Sequence, residues 1–328
     1  VSSRLGNLRL NIPQTRDGEF YPSALERGER SERALKLAVA EMYVQGVSTR
    51  KVAEITEQLC GLEVSSGQVS RAAKLLDEEL EAWRTRPLGK VPYLILDARY
   101  EKVRHGGSVR DCAVLVAIGI LEDGKRSILG VDVSLSEAEV HWRSFLKSLL
   151  DRGLHGVEFI VSDDHSGLGQ ARKACLPGVA WQRCQFHLLQ NAMHYVPKVV
   201  MRPEVTSDIR NVFNAPDRHE AERLLKQFVA KYATTAPDLA SWMETNIPEG
   251  LTVFQLPAAH RRRLRTTNML ERLNQEIKRR TRVATLFPNE ASLLRLVSAV
   301  LNEVSEDWET GKTYLRMPRD ACGKEQQR

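Results

Sequence analysis

Long apolar runs are missing from this chain. No stretch of its 328 residues approaches the roughly 18 uninterrupted apolar residues of a membrane helix. The opening VSSRLGNLRLNIPQ lacks the compact apolar run of a signal peptide. No membrane partner is therefore expected. Cysteine is scarce: the five are an odd number with no Cys-x-x-Cys pair, which argues against a disulfide framework and for a reducing cytosol. Internal repeats and low-complexity tracts are absent. The first residue is Val1 rather than Met, so residues upstream are expected.

What remains is the composition of an ordinary soluble globular protein, 42% apolar and 27% charged, long enough for two or three domains. A net charge of +6 and a pI near 9.1 favour an acidic partner, of which nucleic acid is the commonest. The charge is concentrated. Between His260 and Arg282 stand nine cations (Arg261, Arg262, Arg263, Arg265, Arg272, Lys278, Arg279, Arg280 and Arg282) against two carboxylates, Glu271 and Glu276. Such a segment is either a solvated face or a phosphate-binding surface, and its density favours the second.

Residues 1–30 are polar, with Pro13, Gly18, Pro22 and Gly28, and read as an arm. Residues 31–86 have helical periodicity broken at QGVST and CGLEVSSG. Ser48 can cap a helix from Thr49 to Leu59 that buries Val52, Ile55 and Leu59, and Gly61 ends it. Ser65 and Gln68 have capping-box spacing for a second helix that exposes Gln68, Arg71 and Lys74. The pair predicts a helix-turn-helix unit, the alternative being a small helical bundle.

After Pro87 the pattern changes. VPYLILDARY, CAVLVAIGIL and RSILGVDVSL predict three strands, the last two a hairpin across Asp123-Gly124. A helix follows from about Glu137 to Arg152, with Trp142 and Phe145 on its apolar side. VEFIVSD does not alternate and predicts a strand covered on both faces. A short helix around Leu168–Ala174 and a brief strand in GVAWQRC complete a β-β-β-α-β-α-β series. From Phe186 to about Leu251 the chain reads as amphipathic helices, and further helices run through Trp308.

Asp97 and Asp163 each end an apolar strand, where a side chain is delivered to the sheet edge. Asp97 could instead be a turn residue or a partner for Arg99 or Arg104, and Asp163 a helix cap. Asp163 is preferred to its neighbour Asp164 because it directly terminates the apolar run; Asp164 then falls to the loop and helix cap. Glu271 lies on a helix whose buried stripe is Leu270, Leu273 and Ile277, with Asn268, Glu271, Gln275 and Lys278 beside it. Asn268 and Glu271 could form a capping box. Alternatively, three carboxylates could hold two hard cations and serve chemistry at phosphorus.

A strand Asp, a strand Asp and a helix Glu within this series resemble the RNase H-like fold of DDE transposases. Three blocks sharpen the likeness: LDARYEKVRHGG, VSDDHSGLGQARKACLPGVAWQRCQFHLLQN and RTTNMLERLNQEIKRRTRVATLFPNEASLLRLV. They are similar to the signature blocks of the Mutator-like transposases of bacterial insertion sequences, and the resemblance runs from about Ser31 to Trp308. It implies an α/β protein: an RNase H-like core, an all-α insertion and an N-terminal helical, helix-turn-helix-like DNA-binding region. The implied boundaries are an arm (1–30), the DNA-binding region (31–88), the first part of the core (89–185), the insertion (186–258) and the last part of the core (259–328).

By the same resemblance Asp97, Asp163 and Glu271 carry over as catalytic and metal-binding residues. Two Mg²⁺ or Mn²⁺ ions are implied, with double-stranded DNA, as element ends and target, for partner. The implied reaction is phosphodiester hydrolysis at element ends and transfer of the 3′-OH into target DNA. A homodimer or higher oligomer on DNA, in a bacterial cytoplasm, is implied too. One departure is Asp164, where the family pattern has a small residue. Gln68, Arg71, Lys74, Arg261, Arg262, Arg263, Arg265, Lys278 and Arg279 are the expected DNA contacts. His165, Cys184, His187 and Asn268 are expected to support the site. Cys184 and His187, even with His194, lack the second Cys/His pair of a structural zinc site. Two other classes fit: an RNase H-like nuclease or resolvase that cuts without joining, and a DNA-binding regulator on an inactive catalytic fold.

Overall fold

The apolar runs predicted as strands do meet in one sheet. The computed structural model describes residues 2–3, 6–7, 9, 33–45, 47, 49–60, 64–281 and 286–317. A two-residue ladder, β1 (Ser2–Ser3) on β2 (Gly6–Asn7), comes first in chain order. The main sheet contains β3 (Tyr93–His105), β4 (Ser108–Ile120), β5 (Arg126–Ser134), β6 (Phe159–Ser162) and β7 (Ala180–Arg183), in the order β5-β4-β3-β6-β7. β4 and β5 are antiparallel, while β6 runs parallel to both β3 and β7. All four residues of β6 are buried, as an unalternating apolar run requires.

Helices α5 (Glu139–Asp151) and α6 (Ser166–Cys175) cover one face. Trp142, Phe145, Leu146 and Leu149 pack there with Leu94, Leu96, Leu115, Leu129 and Ile160. α6 starts at Ser166, two residues before the predicted Leu168, and its Gly167 permits a close approach. A Cβ at Gly167 would lie 2.2 Å from the Glu137 carbonyl oxygen. On the other face Tyr93 meets Phe159 edge-on, and its hydroxyl lies 3.0 Å from His260 Nδ1 in α11 (Ala258–Leu264).

Between β7 and α11 the chain is helical: α7 (Gln185–Ala192), α8 (Arg202–Phe213), α9 (Arg218–Tyr232) and α10 (Pro237–Asn246). These helices enclose their own apolar cluster, including Leu188, Val205, Ile209, Phe228, Leu239 and Met243. One carboxylate is buried with them. Asp208 accepts hydrogen bonds from Lys231 Nζ and the Tyr232 hydroxyl, both at 2.6 Å. Burial, then the Asp208 charge, pushes the Tyr232 phenol up to about 12.

Near the start are α1 (Arg33–Val44), α2 (Thr49–Cys60), α3 (Ser66–Ala73) and α4 (Asp77–Thr85). Leu35, Val39, Ala40, Val52, Val69 and Ala72 are the core of the first three. The predicted capping box exists: Gln68 N–H donates to Ser65 Oγ at 3.3 Å, and Ser65 N–H to Gln68 Oε1 at 2.6 Å. Ser48, Gly61 and most of the predicted arm lie outside the described residues. α12 (Asn268–Thr281) and α13 (Glu290–Thr310) end the helical series, α13 running past Trp308 to Thr310.

The chain divides into two compact units. One comprises Val1–Thr85, Lys102–Arg110 and Gln275–Glu303; the other comprises Arg86–Glu101, Asp111–Asn274 and Val304–Arg328. Among the described residues, no helix is long and apolar enough to cross a membrane.

Candidate active site

Parallel pairing sets two carboxylates side by side. Tyr93, Leu94 and Ile95 of β3 register with Phe159, Ile160 and Val161 of β6. The same offset carried past the pairing brings Asp97 level with Asp163. Alternate residues share a face, so both belong with Tyr93 and Phe159, away from α5 and α6. Asp97 is half-buried, and its Oδ2 accepts a 3.2 Å hydrogen bond from Asn274 Nδ2. Burial pushes its carboxyl up to about 6 and the Asp163 charge adds to this; His187, the Ala98 N–H and Asn274 oppose the rise.

Asp163 and Asp164 have different partners. Asp163 Oδ1 accepts the Asp164 N–H at 2.8 Å, and its Oδ2 lies 3.8 Å from His187 Nδ1. Asp164 Oδ2 lies 3.1 Å from Nη1 of Arg183. That buried guanidinium also reaches Asn246 Oδ1 at 3.0 Å and Glu249 Oε2 at 2.9 Å. The predicted cap role of Asp164 is not seen: the N-cap of α6 is His165, with no side-chain capping bond. The Arg183 guanidinium, on the neighbouring strand β7, engages this carboxylate instead. His165 Nδ1 lies 3.8 Å from Glu137 Oε2.

Glu271 sits in the first turn of α12. Its N–H bonds the Thr267 carbonyl at 3.2 Å, so the buried Thr267 occupies the cap position and Asn268 is already helical and exposed. The Asn268–Glu271 capping box is therefore not formed. Thr267 N–H reaches Cys184 Sγ at 3.4 Å, which ties the start of α12 to that of α7. Leu270, Leu273 and Ile277 are buried as their spacing predicts. The polar stripe is turned slightly: Asn274, not the exposed Gln275, reaches the sheet. Arg99 of β3 donates to the Asn274 carbonyl. One turn away, Glu271 Oε1 is buried with no hydrogen-bond partner.

His187, next to Asp163, is pushed up to about 9. Hydrogen bonding to the Cys184 sulfur is the largest influence; burial opposes it, while the charges of Cys184, Asp163 and Asp97 add to it. The imidazole stands near both the Cys184 sulfur and the Asp163 carboxylate. Among the described residues no three His, Cys, Asp or Glu side chains are gathered closely enough to hold a metal ion. Asp97, Asp163 and Glu271 are brought to linked elements rather than closed around one point. The donor set itself is all hard oxygen, which suits Mg²⁺ or Mn²⁺, and the unpartnered Glu271 oxygen is free to ligate.

The predicted DNA contacts divide into free and committed groups. Arg71 and Lys74 are exposed; Gln68 is exposed too, but its side chain serves the capping box. Arg261 donates to the carbonyls of Leu256, Pro216 and Phe254 at 2.9, 3.0 and 3.1 Å, so it braces the chain entering α11. Arg265 bonds Asn214 Oδ1 at 2.7 Å and is half-buried. Arg262 and Arg263 are exposed, Arg263 stacking on Tyr314. Lys278 is exposed, and Arg279 makes two bonds to Glu276, at 2.9 and 2.6 Å. Residues not singled out from sequence include Asn274 and Arg183, while Arg99, a possible partner for Asp97, pairs with Glu101 instead. For Asn274 the signal was available, three residues beyond Glu271 on one helix face.

Comparison with known proteins adds the following. A family model described as "Transposase, Mutator family" matches residues 1–311. A transposase for insertion sequence element IS406 from Burkholderia multivorans is 59% identical over 317 residues, 96% of this chain and 82% of that protein. A transposase for element ISRM5 from Rhizobium meliloti is 47% identical over 316 residues, 96% of this chain and 79% of that protein. Among solved structures, a chain of a simian T-cell lymphotropic virus intasome in complex with PP2A regulatory subunit B56 gamma aligns with 11% identity and a TM-score of 0.20. That alignment covers 63% of this chain and 67% of the other, a likeness too slight to carry an argument.

Proposed function

The chain belongs to the Mutator family of transposases, and on that premise we propose that it is a DDE-type DNA transposase of an insertion sequence. In this reading the sheet order β5-β4-β3-β6-β7 is an RNase H-like core, and α2 with α3 is a helix-turn-helix-like DNA reader. The reaction is two in-line displacements at phosphorus. Water attacks a phosphodiester at the element end; the bond to the 3′ oxygen breaks and a 3′-OH is released. That hydroxyl then attacks a target phosphodiester, forming one bond and breaking another, without a covalent protein–DNA intermediate. Such a protein acts on DNA in the cytoplasm.

The observation that carries this reading is the shared level of Asp97 and Asp163 on adjacent parallel strands, with the Glu271 helix joined to Asp97 through Asn274. Asp97, Asp163 and Glu271 would hold Mg²⁺ or Mn²⁺, which when bound supplies charge stabilisation to the attacking and leaving oxygens. The other residues prepare the carboxylates. Asn274 orients Asp97 Oδ2, the His187 imidazolium keeps positive charge beside Asp163, and Arg183 draws Asp164 aside. Thr267 and Cys184 set where α12 begins, and so where Glu271 points.

The test is cleavage and joining of element-end DNA by Asp97→Asn, Asp163→Asn and Glu271→Gln. Each keeps the side-chain shape and removes the anionic oxygen. Each is expected to lose both activities by more than about a thousandfold, about 4 kcal/mol of barrier, while DNA binding persists. Cleavage without joining by the unaltered protein would make it a nuclease or resolvase. Full activity in Asp163→Asn, with loss in Asp164→Asn, would move the second strand position by one residue.

A further inference from the structure

The turn between β3 and β4 is unlike the others in the sheet. From Lys102 to Arg110 the chain carries Lys102, Arg104 and Arg110 and no carboxylate. All three cations are exposed, and among the described residues none has an ion-pair partner. Val109 beside them is 54% exposed, a large apolar side chain turned to water. Elsewhere in this chain exposed cations are commonly paired, as Arg279 with Glu276 or Arg223 with Glu220.

The shape of the segment is as definite as its charge. Gly106 and Gly107 have φ of +54° and +80°, and left-handed residues in succession are what a two-residue type I′ hairpin needs. A Cβ at either glycine would meet nothing within 4 Å. The glycines therefore serve the backbone conformation, and nothing crowds the tip. The base of the ribbon is anchored: Val103 is fully buried and bridges Phe287, Arg104 N–H donates to the Phe287 carbonyl at 2.8 Å, and Phe287 N–H to that of Lys102 at 3.0 Å. His105 Nδ1 also contacts Glu290 Oε1. A fixed base, a tight turn and exposed cations without ion-pair partners suit an anionic partner.

We propose that the Lys102–Arg110 hairpin is a β-ribbon contact for duplex DNA that grips the phosphate backbone. The inference rests on the reading of this protein as a DNA transposase. A two-stranded ribbon fits the roughly 12 Å major groove, and cations on its strands are positioned for the phosphates at the groove edge. Val109 offers apolar contact to sugar or base edge. Because phosphate contacts carry no sequence information, the ribbon adds affinity for element-end and target DNA alike.

The experiment is a salt titration of duplex binding by the full chain and by Lys102→Gln/Arg104→Gln/Arg110→Gln, each with element-end and random DNA. The variant is expected to bind both duplexes roughly tenfold or more weakly, and to lower the log–log salt slope by about 0.9 per lost contact. The charge-conserving Lys102→Arg/Arg104→Lys/Arg110→Lys is expected to restore both. Hydrogen exchange of the unaltered protein is expected to show the 105–109 amides protected when duplex is added, a readout independent of whether the variant folds. Unaltered affinity and slope in the glutamine variant, or amides indifferent to DNA, would overturn the ribbon while leaving the transposase reading intact. Absence of salt-dependent duplex binding in the unaltered protein would overturn both.

Discussion

Asp208 and Asp97 are both carboxylates taken largely out of water, and the protein treats them oppositely. Asp208, among α7–α10, receives Lys231 Nζ and the Tyr232 hydroxyl at 2.6 Å, and Lys231 is stabilised as a cation in return. Its charge is matched, so the pair belongs to the fold. Asp97, at the level of Asp163, has only neutral donors, Asn274 at 3.2 Å and the Ala98 N–H, and burial holds its pKa up near 6. Glu271 Oε1 is buried with no donor at all. Unsatisfied buried oxygens cost stability, and they persist where something else needs them. The contrast is the one the proposed reading requires, with Asp208 building the molecule and Asp97 and Glu271 serving chemistry.

Two substitutions can break or sharpen that contrast. Asp208→Ala leaves the buried Tyr232 hydroxyl without its acceptor, while Lys231 keeps Glu204 at 2.7 Å. It is expected to cost about 2 kcal/mol in urea unfolding, the size associated with leaving a buried hydroxyl unsatisfied. A loss below about 1 kcal/mol would mean that Asp208 is no better satisfied than Asp97. Asp97→Asn is expected to act in the opposite direction on the metal-free protein. The folded pKa, about 6, lies above the ordinary value of 3.8, so the native state binds the proton more tightly than the unfolded chain. Stability is therefore lost as pH rises from about 3.8 through about 6, and the cost is complete above that. Removing the charge is expected to stabilise the protein by about 1–3 kcal/mol above that window, and by nothing near the bottom of it. Thermal unfolding across this pH range checks both parts. A destabilised variant at neutral pH would place Asp97 with Asp208.

What the sequence discloses follows the range of the forces involved. Val, Ile and Leu runs predict the strands because a covered sheet needs apolar residues on both faces, and Ser65 with Gln68 predicts a cap because that interaction closes within four residues. Asp97 and Asp163 are legible as polar residues that end apolar runs, but β3 continues past Asp97 to His105, so only Asp163 stands at a strand end, and the register that levels them is not legible. The beginning of α12 is misread by one residue because Thr267 is held by Cys184, 83 positions earlier. Arg261 looks like one more surface cation until Phe254 and Pro216 come into reach of its donors. Arg280 is similar: it is buried, donating to the Val44 carbonyl at 3.0 Å. A local count of charge cannot tell cations facing water from cations bracing carbonyls, which is why the basic segment is less free than its surplus of seven suggests.

The proposed reading requires Asp97, Asp163 and Glu271 to take up a divalent cation together. Its most direct measurement is Mn²⁺ binding, followed by electron paramagnetic resonance at a pH well above 6, where Asp97 is ionised. The unaltered protein is expected to take up Mn²⁺, Asp97→Asn, Asp163→Asn and Glu271→Gln each to lose it, and Asp164→Asn, whose carboxylate is engaged by Arg183, to retain it. Equal uptake by all four variants, or loss in Asp164→Asn alone, would contradict it.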